Sequence, residues 1–468
     1  MNIAEKAQKS LFTGFAAIAE QFKLPSHFPA EVVVAADYAT RGEGSNGPAW
    51  MSDRRDATDI PLVTLDPATS TDLDQAFAIV QDGAELVLFY ALADVSAFVL
   101  AGSVIEREAW LRGVTLYGLG EKIPLYPKVI SQWAASLLPE GPRPAVLVVV
   151  SIRPDGQVKL RSVERVFCTS RAKLAYDSVD LKKIPHVEEF AKRMWTDEAA
   201  RGAVRVECPQ QEVIIDETAP GGVRLVLRAR VLSEAINSTL SLACNMAIGT
   251  LFQNARTGLF RVMDEPEPRA IESLRLAANA LGIAWSSSET LRDLQRRMDP
   301  LNVRHQRFLL DARRAGGRAN YAVYNSEKPP WHSAIAATYA HATAPMRRLA
   351  DRYVLDLAYL LANNHSIPQT LTDQLVELPP VMERFEGRAS SVDRAVIDLL
   401  EAVSLQHRVG EILQALVVDA ENGIVQTVDF AIRSRAAKLP QLMNGTPVRV
   451  RIEVADPSTR NVRLTAIP

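Results

Sequence analysis

The chain has 468 residues, of which 47% are hydrophobic and 23% charged, with 53 Lys plus Arg against 55 Asp plus Glu for a formal net charge of −2. This composition excludes a wholly disordered chain, and the length suits roughly three domains. Near-neutrality excludes recognition of polyanions by bulk charge, so any such site must be a local basic surface.

Cys168, Cys208 and Cys244 form no CxxC pair and point to a reducing compartment without a disulfide frame. No run approaches the roughly 18 apolar residues of a membrane span. The N-terminus carries Glu5 and Lys6 in place of an apolar signal core. The expectation is a cytoplasmic protein with no membrane contact.

In chain order, Ile3, Ala7, Leu11, Phe15 and Ile18 stand at helical spacing over 3–22. LPSHFP at 24–29 breaks that helix, and AEVVVAADYA allows a second short one. Packing, a dimer contact and a helix-turn-helix role are all open to this module. RGEGSNGPAW at 41–50 reads as its linker. PLVTLD at 61–66 is a strand, and the Asp82-Gly83 signal predicts a hairpin between FAIV and ELVLFYALADV. A second β pair flanks PDG at 154–156. Helices are predicted near 186–203, 231–256, 269–282 and 288–318, from Pro345, and near 391–407. Strands followed by helices predict an α+β fold. The domains are then 1–50, 51–408 and 409–468, the last a small barrel of about five strands like an OB fold.

Two features carry chemistry. DPATSTDLDQ at 66–75 sets Asp66 at the end of a strand, with Asp72 and Asp74 two apart and so on one side of an extended chain. Hairpin arithmetic with the turn centred on Asp82–Gly83 brings Asp94 close to Asp72. Converging carboxylates repel and are driven to take up protons, a conflict that a hard divalent cation such as Mg²⁺ removes. The other reading is an Asp-rich turn capping its own amides. In YAHATAPMRRLAD at 339–351, Thr343 reads as a helix N-cap with Pro345 in the first turn. Arg347 and Arg348 would then oppose the helix dipole unless an anion binds there, and Asp351 could hold Arg347 in place. A solvated Arg pair is the alternative.

Together these residues resemble the catalytic domain of the ribonuclease II family. VTLDPATSTDLDQA keeps three aspartates of its four-aspartate motif, and HSAIAATYAHATAPMRRLAD is similar to its Thr-Ser-Pro-Ile-Arg-Arg block. YALADVSAFV, LRGVTLYGLGEKIPLYP and KLAYDSV look like its intervening segments, in the same order over roughly 53–405. The resemblance implies a large mixed sheet or barrel wrapped by helices, with a C-terminal five-stranded OB-type RNA-binding barrel. It implies a processive 3′→5′ exoribonuclease acting on single-stranded RNA and releasing nucleoside 5′-monophosphates. Asp66, Asp72 and Asp74, with Gln75, would hold Mg²⁺, for which Mn²⁺ could substitute, and the attacking water. Arg347 would grip the phosphate, helped by Thr343 and Arg348, and Tyr176 would stack on a base. Asp94 and Asp351 would support the site from behind. No protein partner is evident, and a monomer is expected.

The chain departs from the family in four places. Gln75 stands where the family has a fourth aspartate, Ala344 where it has Ser, Leu349 where it has Tyr, and Ser238 and Thr239 where it usually has Glu. These departures keep a second reading open, a catalytically impaired RNA-binding protein on the same fold. Arg161, Arg165, Arg171 and Lys173 form one basic cluster, and others lie at 304–318 and 433–438. Each could line a groove or simply be solvated. His332 and His341 are read as structural, and the cysteines as buried small residues.

Overall fold

The computed structural model describes residues 3–41, 54–118, 122–204, 210–215, 223–228, 230–299, 302–428, 432–439 and 445–467. Residues 42–50 of the predicted 41–50 linker, and Cys208, lie outside the described residues.

The β-rich runs of the first half form β1 (Arg55–Asp56), β2 (Leu62–Asp66), β3 (Gln75–Asp82), β4 (Glu85–Ala93), β5 (Leu116–Tyr117), β6 (Lys122–Ile123), β7 (Arg143–Ile152), β8 (Val158–Cys168) and β9 (Ser170–Ala175). Seven of them make one mixed sheet in the order β1-β8-β7-β4-β3-β2-β9, while β5 and β6 pair separately. β7 is buried from Ala145 to Ile152, as a continuous Ala/Val/Leu run at the centre of a sheet should be. The hairpin register differs from the prediction by two residues. Asp82 pairs with Glu85, so the turn is Gly83–Ala84, with Gly83 at φ 58°.

The helices are α1 (Ile3–Gln21), α2 (Ala30–Thr40), α3 (Val104–Arg112), α4 (Val187–Arg201), α5 (Leu232–Ala255), α6 (Pro268–Ala280), α7 (Leu291–Arg296), α8 (Val303–Ala315), α9 (Leu349–Ala362) and α10 (Gln369–Leu405). The helical run at 288–318 is thus two helices. The one expected near 391–407 is the end of a 37-residue helix that carries Pro379 and Pro380 inside it.

Every residue of α9 from Leu349 to Leu360 is buried, which makes it the spine of the core. α5 is long and apolar enough in composition to cross a bilayer, yet 61% of its most apolar stretch is buried inside the protein. A side chain at Gly249 of α5 would meet the backbone of Thr338 and Tyr339 at 2.9 Å, so glycine lets the 338–343 segment approach this helix.

Of the roles open to the N-terminal module, the structure displays packing. Ile18 of α1 sits among Val392, Leu399 and Val403 of α10, and Gly14 lies against Leu399. Helices α6 to α8 keep a small core of their own around Leu274, Leu294 and Phe308.

Strand pairs β10 (Gln210–Ile215) with β11 (Val223–Arg228) and β12 (Leu259–Val262) with β13 (Asn320–Val323) lie outside the main sheet. At the C-terminus β14 (Ile412–Asp419), β15 (Ile424–Thr427), β16 (Arg433–Ala437), β17 (Pro447–Asp456) and β18 (Asn461–Ile467) close a five-stranded barrel. Its core is Val417, Val425, Val450, Ile452 and Leu464.

Candidate active site

The ends of β2, β3 and β9 meet α5 and the segment before α9 around one cavity of about 850 Å³. Parallel pairing of β2 with β9 sets Asp66 opposite Ala175, so Tyr176 follows beside it, and the Tyr176 N–H donates to the Asp66 carbonyl. The 67–74 loop is pinned by Leu73. That residue is wholly buried, and its N–H donates to the Ser136 hydroxyl. With Leu73 turned inward, Asp72 and Asp74 on either side of it turn to the cavity.

The three carboxylates meet different partners. The Asp66 carboxylate has no hydrogen-bond donor among the described residues, and burial pushes it up to about 6 against the pull of Arg347. Asp74 is 6% exposed. Its Oδ1 accepts from the Met346 N–H at 2.8 Å, and Oδ2 is 3.4 Å from Arg347 Nε. Burial pushes Asp74 up to about 7 despite both contacts. Asp72 is paired with Lys122, whose Nζ is 2.5 Å from Oδ1. Among the described residues no three His, Cys, Asp or Glu side chains gather closely enough to hold a metal ion between them. The expected three-carboxylate convergence is therefore looser than predicted, with Asp72 turned onto an ammonium.

Gln75 faces the cavity, but both ends of its amide are engaged. Nε2 donates to the Thr343 carbonyl, while Oε1 accepts from the Tyr90 and Ser241 hydroxyls. This corrects its expected role, since the carbonyl that would serve as a ligand is occupied by two donors. Desolvated Asp66 and Asp74 are hard oxygen donors short of positive partners, and they suit a divalent cation. Asp72 and Gln75, as they stand, do not.

The phosphate-side segment also differs from prediction. Residues 345–347 form a turn, and α9 begins at Leu349 with Arg348 as an extended N-cap residue. Thr343 is not the cap. It is 3% exposed, its hydroxyl is 3.3 Å from Asn245 Nδ2, and its carbonyl is held by Gln75. Asp351 holds Arg348, not Arg347, through Nε at 2.9 Å and Nη2 at 2.6 Å, and it also accepts from the Ala344 N–H. Arg347 is left with a side chain 48% exposed, reaching from Asp74 into the cavity. The dipole argument therefore lapses, but the outcome, a guanidinium presented to the cavity, stands.

Asp94 does not line the cavity. It lies 2% exposed behind the sheet, where Arg54 Nη2 is 2.7 Å and Arg165 Nε 3.6 Å from Oδ2. Burial works to raise it, but the two guanidiniums outweigh burial and hold it below the usual carboxylate range. Arg165 also pairs with Asp356 at 2.5 Å, so this member of the basic cluster is core and not groove. Arg161 is likewise spent on Asp82 and Glu85. His332 and His341 lie off the cavity. Burial pushes His332 down to about 4, and the His341 Nδ1 is 2.9 Å from the Tyr321 hydroxyl. Cys168 and Cys244 are buried free thiols.

Sequence reasoning missed Tyr117, Lys122, Arg228, Arg230 and Ser241, all of which line the cavity. Tyr117 and Lys122 lie in a segment quoted for its resemblance, without any pattern that marks them. Burial pushes Tyr176 up to about 12, and its hydroxyl accepts from Asn237 at 2.8 Å.

The chain thus has two parts, a sheet-edge cavity with carboxylates and a presented arginine, and a C-terminal barrel. Family models match on both parts: the RNB domain over residues 54–363, and the RNase II-type exonuclease C-terminal S1 domain over 411–467. The chain belongs to the RNB-domain, RNase II-type family.

Ribonuclease R of Thermotoga maritima is 26% identical over 426 residues, covering 84% of this chain and 58% of that protein, so the chain spans little more than half of the relative's length. Mycoplasma genitalium RNase R, solved in complex with ribose-methylated single-stranded RNA, superposes with a TM-score of 0.84 at 18% identity over 98% of this chain and 78% of that one. Yeast Ssd1, described as a pseudonuclease, superposes with a TM-score of 0.65 at 15% identity over 88% of this chain and 52% of that one.

Proposed function

We propose that the chain is a metal-dependent, processive 3′→5′ exoribonuclease of the cytoplasm that hydrolyses single-stranded RNA and releases nucleoside 5′-monophosphates. The observation that carries this reading is the pair of desolvated carboxylates, Asp66 and Asp74, in one cavity with a half-exposed Arg347. A cavity that raises carboxylates to about 6 and 7 is one that invites a divalent cation. Mg²⁺, or Mn²⁺ in its place, would be held by Asp66 and Asp74. When bound, it supplies an activated water and neutralises phosphoryl charge.

The remaining roles fall to the chain itself. Arg347 offers a forked donor to a phosphodiester oxygen, and Asp74 aims it through the Nε contact. The Tyr176 ring, anchored by Asn237, offers a face on which any base can stack. Arg230, exposed at the rim, and the basic strands of the barrel add salt-dependent attraction for the RNA backbone.

The test is a 5′-labelled single-stranded RNA of about 30 nucleotides, longer than one OB-fold footprint, incubated with Mg²⁺, Mn²⁺ or EDTA beside a matched DNA. Stepwise shortening of the RNA alone, abolished by EDTA, is the expected result. The second reading, an RNA-binding protein without turnover, draws support from the occupied Gln75 carbonyl and the Lys122–Asp72 pair. It predicts tight RNA binding with no shortening under any metal.

A further inference from the structure

We propose that Lys122 is a resident cation of the cavity and that the site consequently takes one divalent ion per chain, not two. The inference rests on the nuclease reading above. Carboxylate-rich hydrolytic sites work with one metal ion or with a pair about 4 Å apart, and a resident cation on one of the carboxylates repels a second ion.

Lys122 is fixed from both ends. Its backbone pairs with Tyr117 in the β5–β6 hairpin. Its ammonium stands 2.5 Å from Asp72 Oδ1 and 5.8 Å from the Tyr117 ring centroid. That is a carboxylate on one side and an aromatic face on the other, the surroundings that an ammonium prefers. The pair is not a solvated surface contact, for Lys122 is 31% and Asp72 15% exposed, and both line the cavity.

Gln75 completes the argument. A carboxylate there would face the Thr343 carbonyl without a proton to offer it, whereas the amide satisfies that carbonyl and receives the Tyr90 and Ser241 hydroxyls. The position is therefore built neutral.

Around the carboxylates themselves, Asp66, Asp72 and Asp74 against Lys122 and Arg347 leave one net negative charge, with Arg230 outside this group at the rim, where it donates to the Ser238 hydroxyl. Arg348 is neutralised by Asp351 and Arg228 by Glu234. One divalent ion turns that balance to a single positive charge, fit for a phosphodiester. A second would have to displace the ammonium from Asp72 or sit against it. Replacing Lys122 by Met and Gln75 by Asp raises the deficit to three negative charges, enough for two ions.

The experiment counts Mn²⁺ bound to the purified full chain without RNA, by the loss of the free-ion paramagnetic resonance signal. One Mn²⁺ per chain is expected for the native protein and for Lys122→Arg. Lys122→Met alone should tighten that binding about tenfold, and Lys122→Met with Gln75→Asp should bind two. The single Lys122→Met change keeps the test decisive if the double variant fails to fold. Two Mn²⁺ in the native protein, none, or a Lys122→Met protein with unchanged count and affinity would overturn the inference. One bound Mn²⁺ without RNA shortening would overturn the exoribonuclease reading and leave the cation count standing. Two bound ions with shortening intact would do the reverse.

Discussion

Asp74 and Asp94 are backbone neighbours with opposite fates. The Ala93 N–H donates to the Asp74 carbonyl at 2.9 Å, and both side chains are nearly fully buried, at 6% and 2% exposure. Asp94 meets Arg54 and Arg165 and is held below the usual carboxylate range. Asp74 meets one N–H and a 3.4 Å arginine contact and is pushed up to about 7. Burial is common to the two, so pairing makes the difference. Asp94 is matched by two guanidiniums, and breaking that buried match would cost the fold. Under-paired Asp74 stores a demand for positive charge that a ligand can meet.

The largest effects separate the two directly. Asp94→Asn leaves buried Arg54 without its counter-charge and Arg165 with Asp356 alone, and should cost about 3 kcal/mol in denaturant unfolding, with residual folded protein still competent in shortening RNA. Asp74→Asn should lower RNA shortening by more than about 10³-fold while making the metal-free protein more stable at pH 8. The sign follows from the raised pKa. Asp74 stabilises the fold while protonated, fully below the unfolded value near 4, and that contribution is lost as pH rises through about 7. Asparagine keeps the Met346 hydrogen bond without the charge, so the expected gain above pH 7 is roughly 1–4 kcal/mol. A lower stability of Asp74→Asn at pH 8 would break the comparison.

Next in size is Arg347→Ala. With 48% of the side chain exposed to the cavity, its loss should lower turnover about 10²-fold and leave RNA affinity within a few-fold, because its charge counts most at the transition state. A loss confined to affinity would make it an ordinary backbone contact.

A third prediction concerns pH. Protons compete with a divalent cation for Asp66 and Asp74, which titrate at about 6 and 7, so Mg²⁺ affinity should fall about tenfold from pH 8 to pH 6. Calorimetric titration at the two pH values checks this. The smallest effect belongs to Arg230→Ala at the rim, which should reduce the salt slope of RNA binding by about one without changing turnover at saturating RNA.

Local pattern made much of this site legible. Asp66, Asp72, Asp74, Tyr176 and Arg347 face one cavity because each sits at a strand end or turn whose position the sequence marks. Asp94 went astray because hairpin arithmetic gives a position along the strand and not the distant partners, Arg54 and Arg165, that hold its side chain. The spacing predicts Arg347 and Arg348 in the first turn of a helix that begins only at Leu349, so Asp351 reaches Arg348 instead of Arg347. The engagement of Gln75 was out of reach of any local rule, since its partners Tyr90, Ser241 and Thr343 come from three separate elements. Lys122 was hidden for the same reason, because only the folded chain sets it against Asp72.

The central claim is that the under-paired carboxylates run hydrolysis. The most direct test measures shortening of 5′-labelled single-stranded RNA by Asp74→Asn beside the native protein at saturating Mg²⁺, with bound RNA quantified in the same samples. The account predicts RNA bound as tightly as by the native protein and left at full length. Shortening at the native rate would contradict it.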